Sequence, residues 1–226
     1  MVNAIYNDLA LNKIYQVKAF GFIKDIIKPK QKVLELGCSD GSFASFVNKK
    51  TNTEVWGVDI SPEEIRSAKK LGIKAQIHDL SKEFPFKKGQ FDLVYTLEVI
   101  EHLLDTDFFL EEIKAVLKKN GYLVVSTPNL GSLTNRVRLL FGKYPRFLDY
   151  TRKDWGNHVH LYTLDALQKQ LSQHGFEIIR VTSPNFLNPF ITKSWCPEFI
   201  KDISMKLGDI FPSLGSHIVI LAKKLS

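Results

Sequence analysis

A chain of 226 residues with 44% hydrophobic and 24% charged residues has the composition of an ordinary globular domain with a substantial core. No apolar run approaches the roughly 18–20 residues needed to cross a bilayer, and the N-terminus MVNAIYNDLALNKIYQVKAF lacks the pattern of a secretory leader. The net charge of +7 allows acidic partners but is spread along the chain, and two distant cysteines, Cys38 and Cys196, fit a reduced, cytoplasmic protein.

Short β-branched runs alternate with helical patterns. The first run, KVLELG (32–37), enters a turn with Gly37 and Gly41 and is followed by EVWGVDI (54–60). Ser61-Pro62-Glu63-Glu64 is a capping box with proline at the first helical position, opening a basic helix that ends at Gly72. AQIHDL (75–80) and FDLVYTLE (91–98) are the next strands, and apolar spacing predicts a helix over 108–119 stopped by Asn120-Gly121. GYLVVSTP (121–128) precedes a long basic connection, 129–160, with Arg136, Arg138, Lys143, Arg146, Arg152 and Lys153 against Asp149 and Asp154. A helix over 163–174 closed by Gly175 leads to FEIIRVTS (176–183). The aromatic segment 184–214 (Phe186, Phe190, Trp195, Phe199) then separates it from the last strand, HIVILAKK (217–224).

Strands apolar on nearly every position are buried on both faces, so the pattern predicts one α/β domain over 1–226 built on an open, mostly parallel sheet. The connections 129–160 and 184–214 are expected to be acceptor-side insertions, because long loops in a compact domain are usually functional.

A ligand of such a sheet binds at the carboxyl ends of the strands, near the first strand. The turn G-x-x-x-G is not the G-x-G-x-x-G of a pyrophosphate site, and Glu35 on its strand side suits a cation. Asp59 ends the second strand, where a carboxylate can accept hydrogen bonds from ribose hydroxyls. Asp79 can accept an adenine amine, with Ile60 or Leu80 against the ring. A ribose, an adenine and a cation without phosphate describe S-adenosylmethionine.

ELGCSDGSF, GVDIS, HDL and FDLVYTLEVIEHL together resemble the motifs of class I S-adenosylmethionine-dependent methyltransferases over about residues 30–183. The resemblance implies a Rossmann-like three-layer sandwich with a seven-stranded sheet whose last strand is antiparallel. It implies cofactor roles for Glu35, Gly37, Ser39, Gly41, Asp59 and Asp79, and Ile60, Leu80 and Leu97 complete the expected donor surface. Ser39 stands where the family usually has glycine.

Glu98, Glu101 and His102 fall on one face if EVIEH begins a helix. The stretch is similar to ubiquinone-biosynthesis O-methyltransferases and small-RNA 2′-O-methyltransferases that use a metal through E-x-x-E-H. In the latter a later N-H-x-H segment adds a ligand, and here Asn157-His158-Val159-His160 makes His160 the expected fourth ligand and His158 a structural residue. Three roles stay open: a site for a divalent cation such as Mg²⁺ on Glu98, Glu101, His102 and His160; general-base catalysis by His102 or His160, with Glu101 beside them; and a structural role. Cys38 is expected to be a small buried filler, and Asn129 either an acceptor contact or a turn residue.

The expectation is therefore a methyltransferase acting on an oxygen of a small molecule, sugar or lipid-linked glycan. The rivals are RNA 2′-O-methylation, motivated by the basic stretch and N-H-x-H, and a non-catalytic cofactor-binding protein, motivated by Ser39.

Overall fold

The computed structural model of the chain describes residues 14–146, 158–186 and 196–225. Arg152, Lys153, Trp155, Asn157, Phe190 and Trp195 lie outside the described residues.

Helix α1 (Ile14–Ile26) precedes β1 (Lys32–Leu36), α2 (Ser42–Thr51), β2 (Glu54–Asp59), α3 (Pro62–Lys70) and β3 (Lys74–Ile77). Then come β4 (Phe91–Leu97), a 3₁₀ turn (Ile100–His102), α4 (Thr106–Val116), β5 (Leu117–Pro128) and α5 (Leu133–Leu140). The chain closes with α6 (Leu164–Gln173), β6 (Phe176–Thr182), α7 (Glu198–Ile210), a 3₁₀ turn (Pro212–Leu214) and β7 (His217–Lys224). The strands form one seven-stranded sheet in the order β3-β2-β1-β4-β5-β7-β6. β1 to β5 pair in parallel, and β7 runs antiparallel to both neighbours. The order reverses at β1, which opens a crevice beyond the ends of β1 and β4.

The strands read as continuous apolar runs because helices cover both faces. α1, α2 and α3 bury Phe20, Ile23, Phe43, Val47 and Ile65 against Val33, Leu93, Tyr95 and Val124. On the other face α4 and α6 bury Phe109, Leu110, Ile113, Leu167 and Leu171 against Leu34, Leu36, Val94, Val125 and Ile220. This is the three-layer sandwich expected. Half of the capping box forms: Ser61 Oγ accepts from Glu64 N at 3.3 Å, but Ser61 N donates to Asp59 instead of the Glu64 carboxylate, and Gly72 ends the α3 region at φ 82°.

Three local expectations change. β3 stops at Ile77, so His78, Asp79 and Leu80 form a loop; Asp79 turns on itself by accepting from Ser81 N and Oγ. The helix expected over 108–119 starts earlier, at Asp105, whose side chain accepts from Phe108 N at 2.8 Å, and ends at Val116. Leu117 is extended there because it pairs with Phe91 of β4. EVIEH does not begin an α-helix: Glu98 is left-handed at φ 58°, and only Ile100–His102 make a 3₁₀ turn.

Candidate active site

The turn after β1 bends through left-handed residues at alternate positions, Gly37 (φ 74°), Ser39 (φ 47°) and Gly41 (φ 76°). Gly37 N and Cys38 N both donate to Val58 O at 2.9 Å, tying the turn to β2. A Cβ on Gly37 would overlap Val99 Cγ2, and one on Gly41 would lie 2.6 Å from Ala68 Cβ and 2.7 Å from its Cα. The two glycines are thus required by backbone conformation and by close approach of neighbouring elements. Ser39 takes the same left-handed form as a glycine would. Its N–H donates to Asp59 Oδ2 at 2.9 Å and its hydroxyl to Glu64 Oε2 at 3.1 Å.

Of the acidic residues expected on the donor side, Glu35 and Asp59 meet at this turn, and Asp79 stays in its own loop. Glu35 is buried on β1 opposite Tyr95 of β4. Burial first, and the Glu35 carboxylate second, push the Tyr95 phenol well above its usual range. Asp59 accepts from Ser39 N and, through Oδ1, from Ser61 N at 2.9 Å, so its oxygens are oriented before any ligand arrives. Beyond β3, Asp79 is held below the usual carboxylate range by its Ser81 hydrogen bonds. Leu80 is buried, Leu97 partly so, and Ile60 is 67% exposed, an apolar side chain left uncovered beside Asp59. Cys38 is buried; its thiol is pushed up by burial, then by Glu35 and Asp59, so it stays protonated as a filler against Gly57.

On the acceptor side the expected quartet separates. Glu98 Oε1 accepts from Ser126 Oγ at 2.6 Å, and Oε2 lies 3.5 Å from His217 Nε2. Glu101 is 1% exposed; Oε2 accepts from Thr127 Oγ1 at 3.0 Å, while Oε1 is buried without a hydrogen-bond partner. Burial raises its pKa to about 7 despite its backbone hydrogen bond and Thr127. The Glu101 carbonyl receives both Val159 N (2.9 Å) and His160 N (3.1 Å), which pins the returning segment over the 3₁₀ turn. His158, not His160, then meets His102, with ring centroids 4.7 Å apart. Ligand atoms of Glu101, His102 and His158 lie within 4.8 Å of one another. His160 Nε2 instead faces Leu104 O at 3.1 Å, and the expected roles of the two histidines are geometrically exchanged. Asn129 is a turn residue: it is buried, donates to Ser213 O and Gly215 O, and accepts from Gly131 N.

A family profile described as a methyltransferase domain matches residues 12–181. The chain belongs to this methyltransferase family. That match and the methyltransferase relatives make it an S-adenosylmethionine-dependent methyltransferase. The methyltransferase is 27% identical over 179 residues to the ubiquinone biosynthesis O-methyltransferase of Pelagibacter ubique, covering 71% of this chain and 74% of that protein. To the enzyme of the same name from Bradyrhizobium diazoefficiens it is 30% identical over 167 residues, covering 72% of this chain and 64% of that protein. Among solved structures it is similar to geranyl diphosphate C-methyltransferase from Streptomyces coelicolor, with a TM-score of 0.67 at 13% identity, covering 92% and 77% of the two chains. At that identity the likeness concerns the fold.

Two side chains packed beside Glu98 escaped the sequence reading. Tyr15 of α1 stands 5.6 Å from the His217 ring, and its phenol is pushed up by burial and then by Glu98, Glu101 and Glu35. Neither residue lies in a motif. The antiparallel entry of β7 beside β5, where Pro128 pairs with His217, is what carries the imidazole to the site. Among the described residues no helix is long and apolar enough to cross a membrane.

Proposed function

We propose that the enzyme methylates an oxygen of a small molecule bearing two adjacent oxygens, a catechol or a vicinal diol, with a divalent cation at Glu101, His102 and His158. The observation that carries this is the buried Glu101 Oε1, which has no hydrogen-bond partner and sits in a cluster with two imidazoles. A buried carboxylate oxygen left unsatisfied is costly, and a cation satisfies it. One carboxylate and two imidazoles are a suitable partial ligand set for Zn²⁺ or Mn²⁺, and a poorer one for Mg²⁺, which prefers oxygen ligands. A cation there would lower the pKa of an acceptor hydroxyl and orient it. The protein's own part is positional: Thr127 fixes Glu101, the Glu101 carbonyl fixes segment 158–160, and the glycine turn with Asp59 fixes the donor.

The O-methyltransferase names of the sequence relatives support oxygen as acceptor. Sugars with vicinal hydroxyls belong to the same chemical class. The RNA reading gains no support: Arg136 and Arg138 spend their Nε atoms on Gly131 O and Tyr144 O of their own loop. The segments 129–146 and 158–160, which line a shallow recess with Arg146, His158 and His160, are taken as the acceptor side.

The test is calorimetric titration of the S-adenosylhomocysteine-loaded protein with Mg²⁺, Mn²⁺ and Zn²⁺. Binding is expected to disappear in Glu101→Ala and His158→Ala and to persist in His160→Ala. Methyl transfer to catechols is expected to exceed transfer to the corresponding single phenols. Absence of cation binding, or a catechol preference that chelator leaves unchanged, would remove the chelation mechanism.

A further inference from the structure

We infer that Ser126 and His217 hold the Glu98 carboxylate toward the sulfur end of the donor site, so that this cluster distinguishes the cationic donor from its neutral demethylated product. The inference rests on the glycine turn being the donor site. Glu98 is the first residue beyond β4, the strand beside β1, and its neighbour Val99 seats directly against Gly37. Tyr15 of α1 and His217 of β7 meet there, with ring centroids 5.6 Å apart, and the Glu98 carboxylate reaches the same imidazole.

Glu98 is held there at two levels. Its N–H donates to Ser126 O at 3.0 Å, and its side chain accepts from Ser126 Oγ at 2.6 Å. Its backbone takes the left-handed form at φ 58°, which a non-glycine residue rarely adopts and which clusters at functional sites. Across the carboxylate, His217 Nε2 approaches Oε2 to 3.5 Å, while Nδ1 lies 2.8 Å from Ser216 Oγ. With Ser216 donating to Nδ1, the imidazole turns its Nε2–H to Glu98. Anchored by Ser216 on one side, the imidazole presents its other ring nitrogen to Glu98 in a fixed direction. His217 is therefore a positioning residue, and Glu98 the group that meets the ligand's charge.

The donor and its product differ by one methyl group and one positive charge on sulfur. The ratio of their affinities therefore reports the field at that atom, whatever the acceptor. Calorimetry of the full chain with S-adenosylmethionine and with S-adenosylhomocysteine gives this ratio. Glu98→Gln is expected to shift it toward the neutral product by about ten-fold, the loss of one charge pair in a partly screened site. His217→Leu should shift it the same way by about three-fold, and the double variant no further than Glu98→Gln alone, because the two act as a unit. His217→Asn, which keeps a donor, should restore part of the ratio, and this variant with Ser126→Ala carries the test if His217→Leu melts. Equal changes in both affinities, leaving the ratio constant, would overturn the inference and leave a packing role for His217. Independent, additive shifts would overturn it as well. A wild-type chain that binds neither ligand would overturn the donor-site assignment itself.

Discussion

Gly41→Ala tests whether the glycine turn is dictated by helix packing as well as by the backbone. Two costs add at this position. The left-handed conformation at φ 76° costs an alanine about 1 kcal/mol. The new Cβ would also stand 2.6 Å from Ala68 Cβ and 2.7 Å from its Cα, a backbone atom of α3 that cannot rotate away. Relieving that overlap means moving α2 off α3, at roughly 1–3 kcal/mol. The sum, about 2–4 kcal/mol, corresponds to a fall in Tm of roughly 5–15 °C for a domain of this size. Gly72→Ala is the internal control, since that glycine has φ 82° and nothing within 4 Å of its Cβ position. It should lose only the conformational part, about 1 kcal/mol. Thermal and urea denaturation of both variants measure the difference, and S-adenosylhomocysteine titration should show a weakened donor site in Gly41→Ala alone. Equal destabilisation by the two substitutions would refute the argument that helix packing fixes the turn.

Other expectations follow from single contacts. Asp59→Ala should weaken S-adenosylhomocysteine by about 10–100-fold, the loss of charge-assisted hydrogen bonds to ribose, and unchanged affinity would leave Asp59 only its bonds to Ser39 and Ser61. Asn129→Ala should cost about 3 kcal/mol in urea denaturation, because it strips partners from Ser213 O, Gly215 O and Gly131 N in a buried turn. For His174, burial opposes the charge, but hydrogen bonds to Glu111 (2.8 Å) and Asp107 (2.9 Å) and their attraction more than offset it, so its pKa is raised. Its contribution to stability is full below its unfolded pKa of about 6.5 and fades as pH rises through the higher folded value. Denaturation midpoints of wild type and His174→Gln should therefore differ more at about pH 5.5 than at about pH 8.5; a constant difference would dismiss the linkage.

The sequence by itself determined the layers and the family. Strands apolar on nearly every position require cover on both faces, and alternation with helices leaves few ways to provide it. The glycine turn and its acidic neighbours were legible because Glu35, Gly37 and Gly41 are near neighbours in the chain, and because Asp59 and Asp79 follow their own strands. Local chemistry places such residues without knowledge of distant contacts. The acceptor side depends on what meets across the sheet, and that only the tertiary structure decided. Glu98 left the expected helical face because Ser126 of the next strand captures both its backbone and its carboxylate. His158 displaced His160 because two backbone hydrogen bonds to the Glu101 carbonyl fix how segment 158–160 lies, a register that spacing alone does not contain. Tyr15 and His217 stand together from opposite ends of the chain, 5.6 Å apart. Their meeting follows from the antiparallel insertion of β7 between β5 and β6, a consequence of sheet topology rather than of any motif.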